Sequence, residues 1–571
     1  MNQSLTLVFI ILIIIIRFEC YFTSNEAPQI RITDGPIRGD ITEYHGVNIL
    51  SYKGIPYAKS PVGALRFTPP MKPDTWTVPI YGKRYGPSCI QNTRSVPFYS
   101  LKAYYKRHPQ DENCLFINIF LPEKSFTENE SLPVMVFIHG GYFIQGAGNF
   151  DSLSPNPLVA IHNIVIVSFN YRLGPFGFLC AGSDVPDIKS NLGFQDQVLA
   201  LQWVHENIAS FRGDPSRVTI FGYSSGSESV SLHIMARVSE KFFQNAIMQS
   251  GISWSGNKKR EDLIKISRKV IQHFNCSDSV NVLSCLQSVE THKLSNETFE
   301  LIGKNPALNP FHPVIGDSFL PFTTSQALKT RNFNTDKNLL AGTEKNDIAF
   351  LLSGPSFPWL LNLTYNGAVE QVEFLVGKGP SANFFIHRYI HPHREGTASQ
   401  IMLGFLDFAD DLIFHCPTHV LSSLIANTSR TENVSVFNYL HTQKLMKPEN
   451  SACPKDFPEL GPCHTDELHY VFGSPLLYPN EFDQIDAELS LRMMTIWTQF
   501  ARTGKVPPQG PVNWPPLGSK IEENFVMDLN GKKIGALHHE KLEYCTMNWH
   551  HFLRYHDPDE LDGYRHQKIT Y

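Results

Sequence analysis

The chain has 571 residues, 42% of them hydrophobic and 18% charged, a globular composition with length enough to bury a large core. Its 49 Lys and Arg against 54 Asp and Glu leave a formal charge of -5, which removes the basic footprint that a nucleic-acid partner needs. No internal repeat, low-complexity stretch or long linker divides the sequence, so one domain over 23–571 is expected.

At the N-terminus, Leu5 to Ile16 is apolar except for Thr6. Twelve residues suit the hydrophobic region of a signal peptide and fall short of the roughly 20 that span a bilayer as a helix. The expectation is a signal peptide over 1–22 and a secreted chain with no transmembrane anchor once it is removed; a short N-terminal anchor is the alternative. The polar C-terminal "DGYRHQKITY" has neither a glycolipid-anchor tail nor an ER-retention signal. Of ten cysteines, Cys20 falls within the expected signal, which leaves nine and predicts at least one free thiol. Glycosylation sequons stand at Asn129, Asn296, Asn362, Asn427 and Asn433.

Short apolar runs recur at 134–138, 164–169, 218–221, 245–250 and 338–342. They do not alternate, which predicts strands buried on both faces of a central, mostly parallel sheet. Between them lie helical patterns. Phe194, Val198, Leu201, Val204 and Ile208 form one stripe; Leu489, Met493, Ile496 and Phe500 form another, with Gly504 where the helix would end. Strands alternating with helices predict an α/β class.

The strand at 218–221 runs into "GYSSG", and a helix-compatible stretch follows Gly226. A strand–turn–helix passage of this kind can hold a serine hydroxyl clear of a sheet, with glycines on either side to let strand and helix pass closely. Ser224 is therefore a candidate nucleophile. Upstream, His139-Gly140-Gly141 ends another expected strand, and backbone N–H groups in such a loop can bind an oxyanion. "HRYIHPHRE" carries His387, His391 and His393 at partly ligand-like spacing, but Pro392 breaks the helix that would align them, so no metal site is expected.

These segments resemble a known family. "FRGDPSRVTIFGYSSG" is similar to the serine signature of the type-B carboxylesterase/cholinesterase family of α/β-hydrolases, and "ENCLFINIF" (112–120) to its second signature, with Asn113 where an acidic residue is usual. "FNYRLGPFGF" (169–178) resembles the same family, and the likeness runs from "GPIRG" (35–39) to "CTMNWHHF" (545–552). It implies an α/β-hydrolase fold with helical insertions forming a gorge, no cofactor, and a Ser, acid, His order along the chain. "CHTDELHYVFGSPL" resembles the histidine segment and selects His464 over His469. "NLLAGTEKNDIAFLL" resembles the acid loop and selects Asp347, with Glu344 the alternative. The oxyanion donors implied are the N–H groups of Gly141, Tyr142 and Ser225.

The resemblance also implies disulfides Cys89–Cys114, Cys276–Cys285 and Cys416–Cys545. Cys453 and Cys463 have no partner in that pattern, so an additional bridge between them is expected, with Cys180 left free. Departures from the family bear on substrate. Tyr142 stands where a third oxyanion glycine is usual, Tyr223 where a Glu usually precedes the serine, and Tyr104 at the choline-stacking Trp position; Phe311 is a candidate for the acyl pocket. The reading is a serine carboxylesterase acting on a neutral small-molecule ester, as a monomer or homodimer. The alternatives are a catalytically silent, neuroligin-like binding protein, or a cholinesterase-like enzyme or lipase.

Overall fold

The apolar runs of the chain pair into one sheet of 13 strands. In chain order these are β1 (Glu26–Arg31), β2 (Pro36–Tyr44), β3 (Val47–Pro56), β4 (Ile80–Tyr81), β5 (Phe116–Pro122), β6 (Leu132–Ile138), β7 (Val165–Phe169), β8 (Gly213–Tyr223), β9 (Asn245–Gln249), β10 (Asn338–Glu344), β11 (Val436–His441), β12 (Val526–Leu529) and β13 (Gly535–Leu537). The computed structural model describes residues 26–92, 109–128, 130–149, 153–253, 260–277, 280–302, 311–353, 357–429, 434–447, 451–508, 514–518, 526–531, 535–537 and 540–556. The expected signal peptide lies outside them.

Strand order is β1-β2-β3-β5-β7-β6-β8-β9-β10-β11-β12-β13, with β4 beside β2. The stretch from β7 to β12 is parallel throughout; β1, β2, β3, β5 and β13 join it antiparallel. This is the α/β architecture expected from the runs at 134–138, 164–169, 218–221, 245–250 and 338–342, which supply the central strands. The outer antiparallel strands β2 and β3 have no such runs, because half-exposed and exposed residues interrupt them, whereas β5 is buried on both faces and its run is broken only by Asn118.

Alternation within the central strands divides the core in two. Val134, Val136 and Ile138 of β6 face one side with Val218 and Ile220 of β8, while Met135, Phe137 and Phe221 face the other. On the first side lies α1 (Leu192–Asn207), whose Phe194, Val198, Leu201 and Val204 are buried as the stripe predicts. After α1 and β8 the chain forms α2 (Ser225–Met235), α3 (Ala398–Asp410), α4 (Cys416–Thr428), α5 (Asp466–Val471) and α6 (Gln484–Thr503). The apolar face of α6, with Leu489, Met493, Ile496, Trp497 and Phe500, covers the second side. Each such fully buried side chain contributes about 1.5–3 kcal/mol. A capping box of Asp483 and Asp486 starts α6, and Gly504, at φ 69°, ends it where a Cβ would lie 2.2 Å from Asn338 Nδ2.

A buried bidentate ion pair fixes α1 to the segment after β7: Arg172 donates to Asp196 at 2.7 and 2.8 Å. Because β6, β8, β10 and β11 are parallel, their carboxyl ends open on one edge of the sheet. Open α/β sheets bind ligands at that edge. His139, Ser224, Glu344 and His441 all stand there.

Candidate active site

The turn from β8 to α2 is built by two close approaches. A Cβ on Gly222 would lie 2.5 Å from Ile138 O, and one on Gly226 would lie 2.1 Å from the same atom. Only glycine allows β8 and α2 to pass β6 at that distance. Between them Ser224 takes φ 55°, ψ -130°, a conformation that costs a non-glycine residue about 1–3 kcal/mol. Its N–H donates to Gln249 O at 2.9 Å, and its carbonyl accepts the Glu228 N–H at 2.9 Å. The strained serine is thus pinned on both sides, half-buried at the sheet edge.

The glycine loop after β6 lies against this turn. A Cβ on Gly140 would be 2.6 Å from Tyr223 O and 2.9 Å from Ser224 Cβ. Gly141 (φ 117°), Tyr142 (57°) and Phe143 (59°) follow with consecutive positive φ, and the N–H groups of Ile144 and Gln145 donate back to Gly141 O. Tyr142 accepts the left-handed conformation that glycine would fill at no cost, and its half-buried ring lies 6.4 Å from that of Phe350. The Phe143 N–H donates to Ser225 Oγ at 3.4 Å, tying the loop to the first residue of α2. Burial lowers the His139 imidazole to about 4, so it is neutral, and its Nδ1–H donates to Gly140 O at 2.9 Å.

His464 and Asp347 are 117 residues apart in sequence and 2.7 Å apart in space, Nδ1 to Oδ1. Asp347 is fully buried, and its Oδ2 accepts the Glu344 N–H at 2.9 Å. Asn346 brings the two loops together: its N–H donates to Pro462 O at 3.0 Å, and its Oδ1 accepts the Gly461 N–H at 3.0 Å. The His464 ring lies between Phe350 (5.0 Å) and Phe414 (5.2 Å). His469 instead packs against Phe482 at 5.5 Å.

Glu344, the alternative acid, points elsewhere. Its carboxyl lies 2.6 Å from His441 Nδ1 and accepts the Glu467 N–H at 3.1 Å. Burial and then the neighbouring Glu467 push it well above the usual carboxylate range. Glu467, His441, Gln249, Asn346, Asp410 and His415 also belong to this region. Sequence reading does not single them out: Asn346 and Glu467 lie within the acid and histidine segments but carry no role there, and the others come from separate elements with no local pattern. The Ile348 N–H donates to Asp410 Oδ1 at 2.6 Å, and His415 Nε2 lies 2.8 Å from Glu344 O.

Of the expected substrate contacts, Tyr223 is half-buried with its ring stacked 6.0 Å from Phe137. Burial, then the charge of Glu467, raises its phenol to about 12, so it is uncharged at neutral pH. Phe311 is buried, with its ring 6.2 Å from Phe299. Tyr104 lies outside the described residues, as do Asn129 and Asn433. Asn362 and Asn427 are exposed and Asn296 is half-buried.

Among the described residues, disulfides join Cys89–Cys114, Cys276–Cys285, Cys416–Cys545 and Cys453–Cys463, and Cys180 is a buried free thiol. The last bridge adjoins His464, and the Cys463 N–H donates to Asp466 Oδ2 at 2.9 Å. Such bridges fit an oxidising compartment. No described helix is long and apolar enough to cross a membrane. No described cluster of three or more His, Cys, Asp or Glu is placed to hold a metal ion.

Residues 26–546 match the family model described as the carboxylesterase family. Acetylcholinesterase of Bungarus fasciatus is 30% identical over 547 residues, covering 91% of this chain and 85% of the relative. Juvenile hormone esterase of Tribolium castaneum is 30% identical over 554 residues, 91% of each chain. Carboxylesterase 1E of Mus musculus is 29% identical over 520 residues, 87% of this chain and 89% of the relative. With a family match across almost the whole described chain, and a mostly parallel sheet carrying the serine turn at its carboxyl edge, this chain belongs to the carboxylesterase family and is a carboxylic ester hydrolase.

Proposed function

We propose that the protein is a secreted serine carboxylesterase for uncharged esters, with Ser224 as nucleophile, His464 as base and Asp347 as the orienting acid. The observation that carries this reading is the 2.7 Å contact of Asp347 with His464 Nδ1, on the edge where Ser224 is held strained. That contact fixes the proton on Nδ1 and leaves Nε2 free to act as base.

His464 takes the hydroxyl proton as Ser224 Oγ bonds to the ester carbonyl carbon. The carbonyl electron pair moves to oxygen, where the N–H groups of Gly141, Tyr142 and Ser225 hold it and the N-terminus of α2 adds its dipole. Collapse breaks the bond to the alcohol, which leaves with the His464 proton. Water then adds to the acyl carbon, gives a proton to His464, and the acid departs as that proton returns to Ser224 Oγ.

The neutral Tyr223, standing where a carboxylate usually precedes the serine, supports an uncharged ester over a cationic one. Purified protein is expected to hydrolyse a short-chain nitrophenyl ester; no turnover overturns the esterase mechanism. Butyrylcholine and its neutral isostere, 3,3-dimethylbutyl butyrate, test the substrate class. With no cation site to reward the charge, kcat/KM is expected to be at least as high for the neutral ester as for the choline ester, and a preference for choline overturns the assignment. The apolar run from Leu5 to Ile16 and the disulfides support secretion. Protein collected from the medium of expressing cells is expected to begin near Thr23; an intact N-terminus or retention on membranes counts against it.

A further inference from the structure

Behind His464 stands a second carboxyl–imidazole pair that the ester chemistry does not use. Glu344, at the end of β10, is bound into the site by its backbone and by its carboxyl, which is also hydrogen-bonded to the Glu467 side chain. Its N–H donates to Asp347 Oδ2 at 2.9 Å, and its carbonyl oxygen lies 2.8 Å from His415 Nε2. Its Oε1 accepts the N–H of Glu467, three residues after His464, at 3.1 Å, and its Oε2 lies 2.6 Å from His441 Nδ1 at the end of β11. The Glu344 and His441 side chains are 1% and 0% exposed. One residue therefore grips the acid through its backbone and the helix that follows the histidine through its side chain.

We propose that Glu344 is a positioning residue for the Asp347–His464 pair and that it works as a neutral carboxylic acid, held between His441 Nδ1 and Glu467.

The charge state follows from what surrounds it. Asp347 lies on its own loop, and Asp466 and Glu467 face it from α5. His441 comes from β11 with Tyr439, His415 from the π-helical segment Asp411–His415 that joins α3 to α4, His464 from the loop before α5 and Tyr470 from α5 itself. Three further carboxyls in one dry region cannot all ionise beside it. Burial is the largest effect raising Glu344, followed by Glu467, Asp347 and Asp466. Burial lowers His441 to about 3, so its imidazole is neutral and can accept a proton at Nδ1. The 2.6 Å contact holds the carboxyl against the imidazole, and the Glu467 side chain, hydrogen-bonded to the same carboxyl, is a second partner for its proton. A neutral Glu344 holds both loops without adding an anion beside the imidazolium that forms on His464. An ionised Glu344 would add a second anion to that of Asp347 and raise the pH needed to keep His464 neutral as the base.

This inference rests on the proposed roles of His464 and Asp347, and its test is nitrophenyl ester hydrolysis by the full chain across pH. Glu344→Ala is expected to lower kcat about 10- to 100-fold with KM within about twofold, the signature of misplaced catalytic groups. Glu344→Gln keeps an acceptor for the Glu467 N–H and supplies an N–H donor to His441, so it is expected to recover most of that loss. Its acid limb in kcat/KM is expected to stay within about 0.3 pH unit of the wild type, because no charge has been removed. An alanine variant as active as the wild type overturns the proposal. So does a glutamine variant as poor as alanine, or an acid limb displaced about one unit to lower pH, which would show that an anion had been lost. If Glu344→Ala does not fold, the recovery and pH limb of Glu344→Gln decide alone. Ser224→Ala separates the two readings: if it stays active the triad itself is wrong, whereas an inactive Ser224→Ala beside wild-type Glu344 variants sinks only the present inference.

Discussion

Replacing Ser224 with alanine is expected to lower kcat by about 10⁵- to 10⁶-fold, leaving the roughly 10³-fold advantage over water that binding and oxyanion contacts retain. The change removes Oγ and nothing else. Both backbone contacts of residue 224, to Gln249 O and from the Glu228 N–H, are main-chain bonds that alanine keeps. The measurement is nitrophenyl ester turnover together with the burst of released nitrophenol, and turnover near the wild-type level would place the nucleophile elsewhere. A companion variant reads the strain. Ser224→Gly is expected to unfold at a higher temperature than Ser224→Ala, because glycine enters φ 55°, ψ -130° freely. The strain relieved, about 1–3 kcal/mol, exceeds the roughly 0.5–1 kcal/mol that glycine costs through chain entropy.

Asp347→Asn is expected to lower kcat by about 10⁴-fold near neutral pH without unfolding the protein. The size of the effect comes from a proton placed on the wrong nitrogen. Asp347 Oδ2 accepts the Glu344 N–H at 2.9 Å, so an asparagine must turn its carbonyl oxygen to that donor. Its NH₂ then faces His464 Nδ1, which has to accept, and the imidazole proton moves to Nε2, the atom that should take the proton of Ser224. Loss of the carboxylate also removes the partner of the charged imidazolium. The acid limb of kcat/KM should therefore move to lower pH even as the plateau falls, since His464 must be neutral to act as base. A variant within about tenfold of the wild type would mean that another group orients His464.

What could be read from the chain alone was whatever is local. The turn at Ser224 needs a strand, two glycines and a helix within about a dozen consecutive residues, and those residues state their purpose by their order. The central strands were equally plain, because burial on both faces leaves uninterrupted apolar runs. His464 and Asp347 were reached through motif likeness; no spacing rule would pair residues 117 apart. The surroundings of the pair were not legible. Glu344 looked like a second choice of acid, yet its carboxyl turns to His441 and the Glu467 N–H, contacts that exist only where β10, β11 and α5 converge. A glutamate and a histidine 97 positions apart leave no periodic trace. The outer antiparallel strands β2 and β3 are hidden for a different reason: their exposed and half-exposed residues interrupt the apolar runs that mark the middle of the sheet.

The parallel order β8-β9-β10-β11 has a consequence for how activity is acquired during folding. Parallel neighbours are joined by long crossovers, so their contacts are non-local and form slowly, after large loop-closure costs. The serine turn closes with β8, the acid arrives with β10, and the histidine loop follows β11, the strand that carries His441. With the proposed triad, a chain halted before β11 docks would hold Ser224 and Asp347 and lack His464 as base. Hydrolysis regained on refolding therefore reports assembly of the sheet as far as β11, and its rate is set by topology, not by the chemistry of the site.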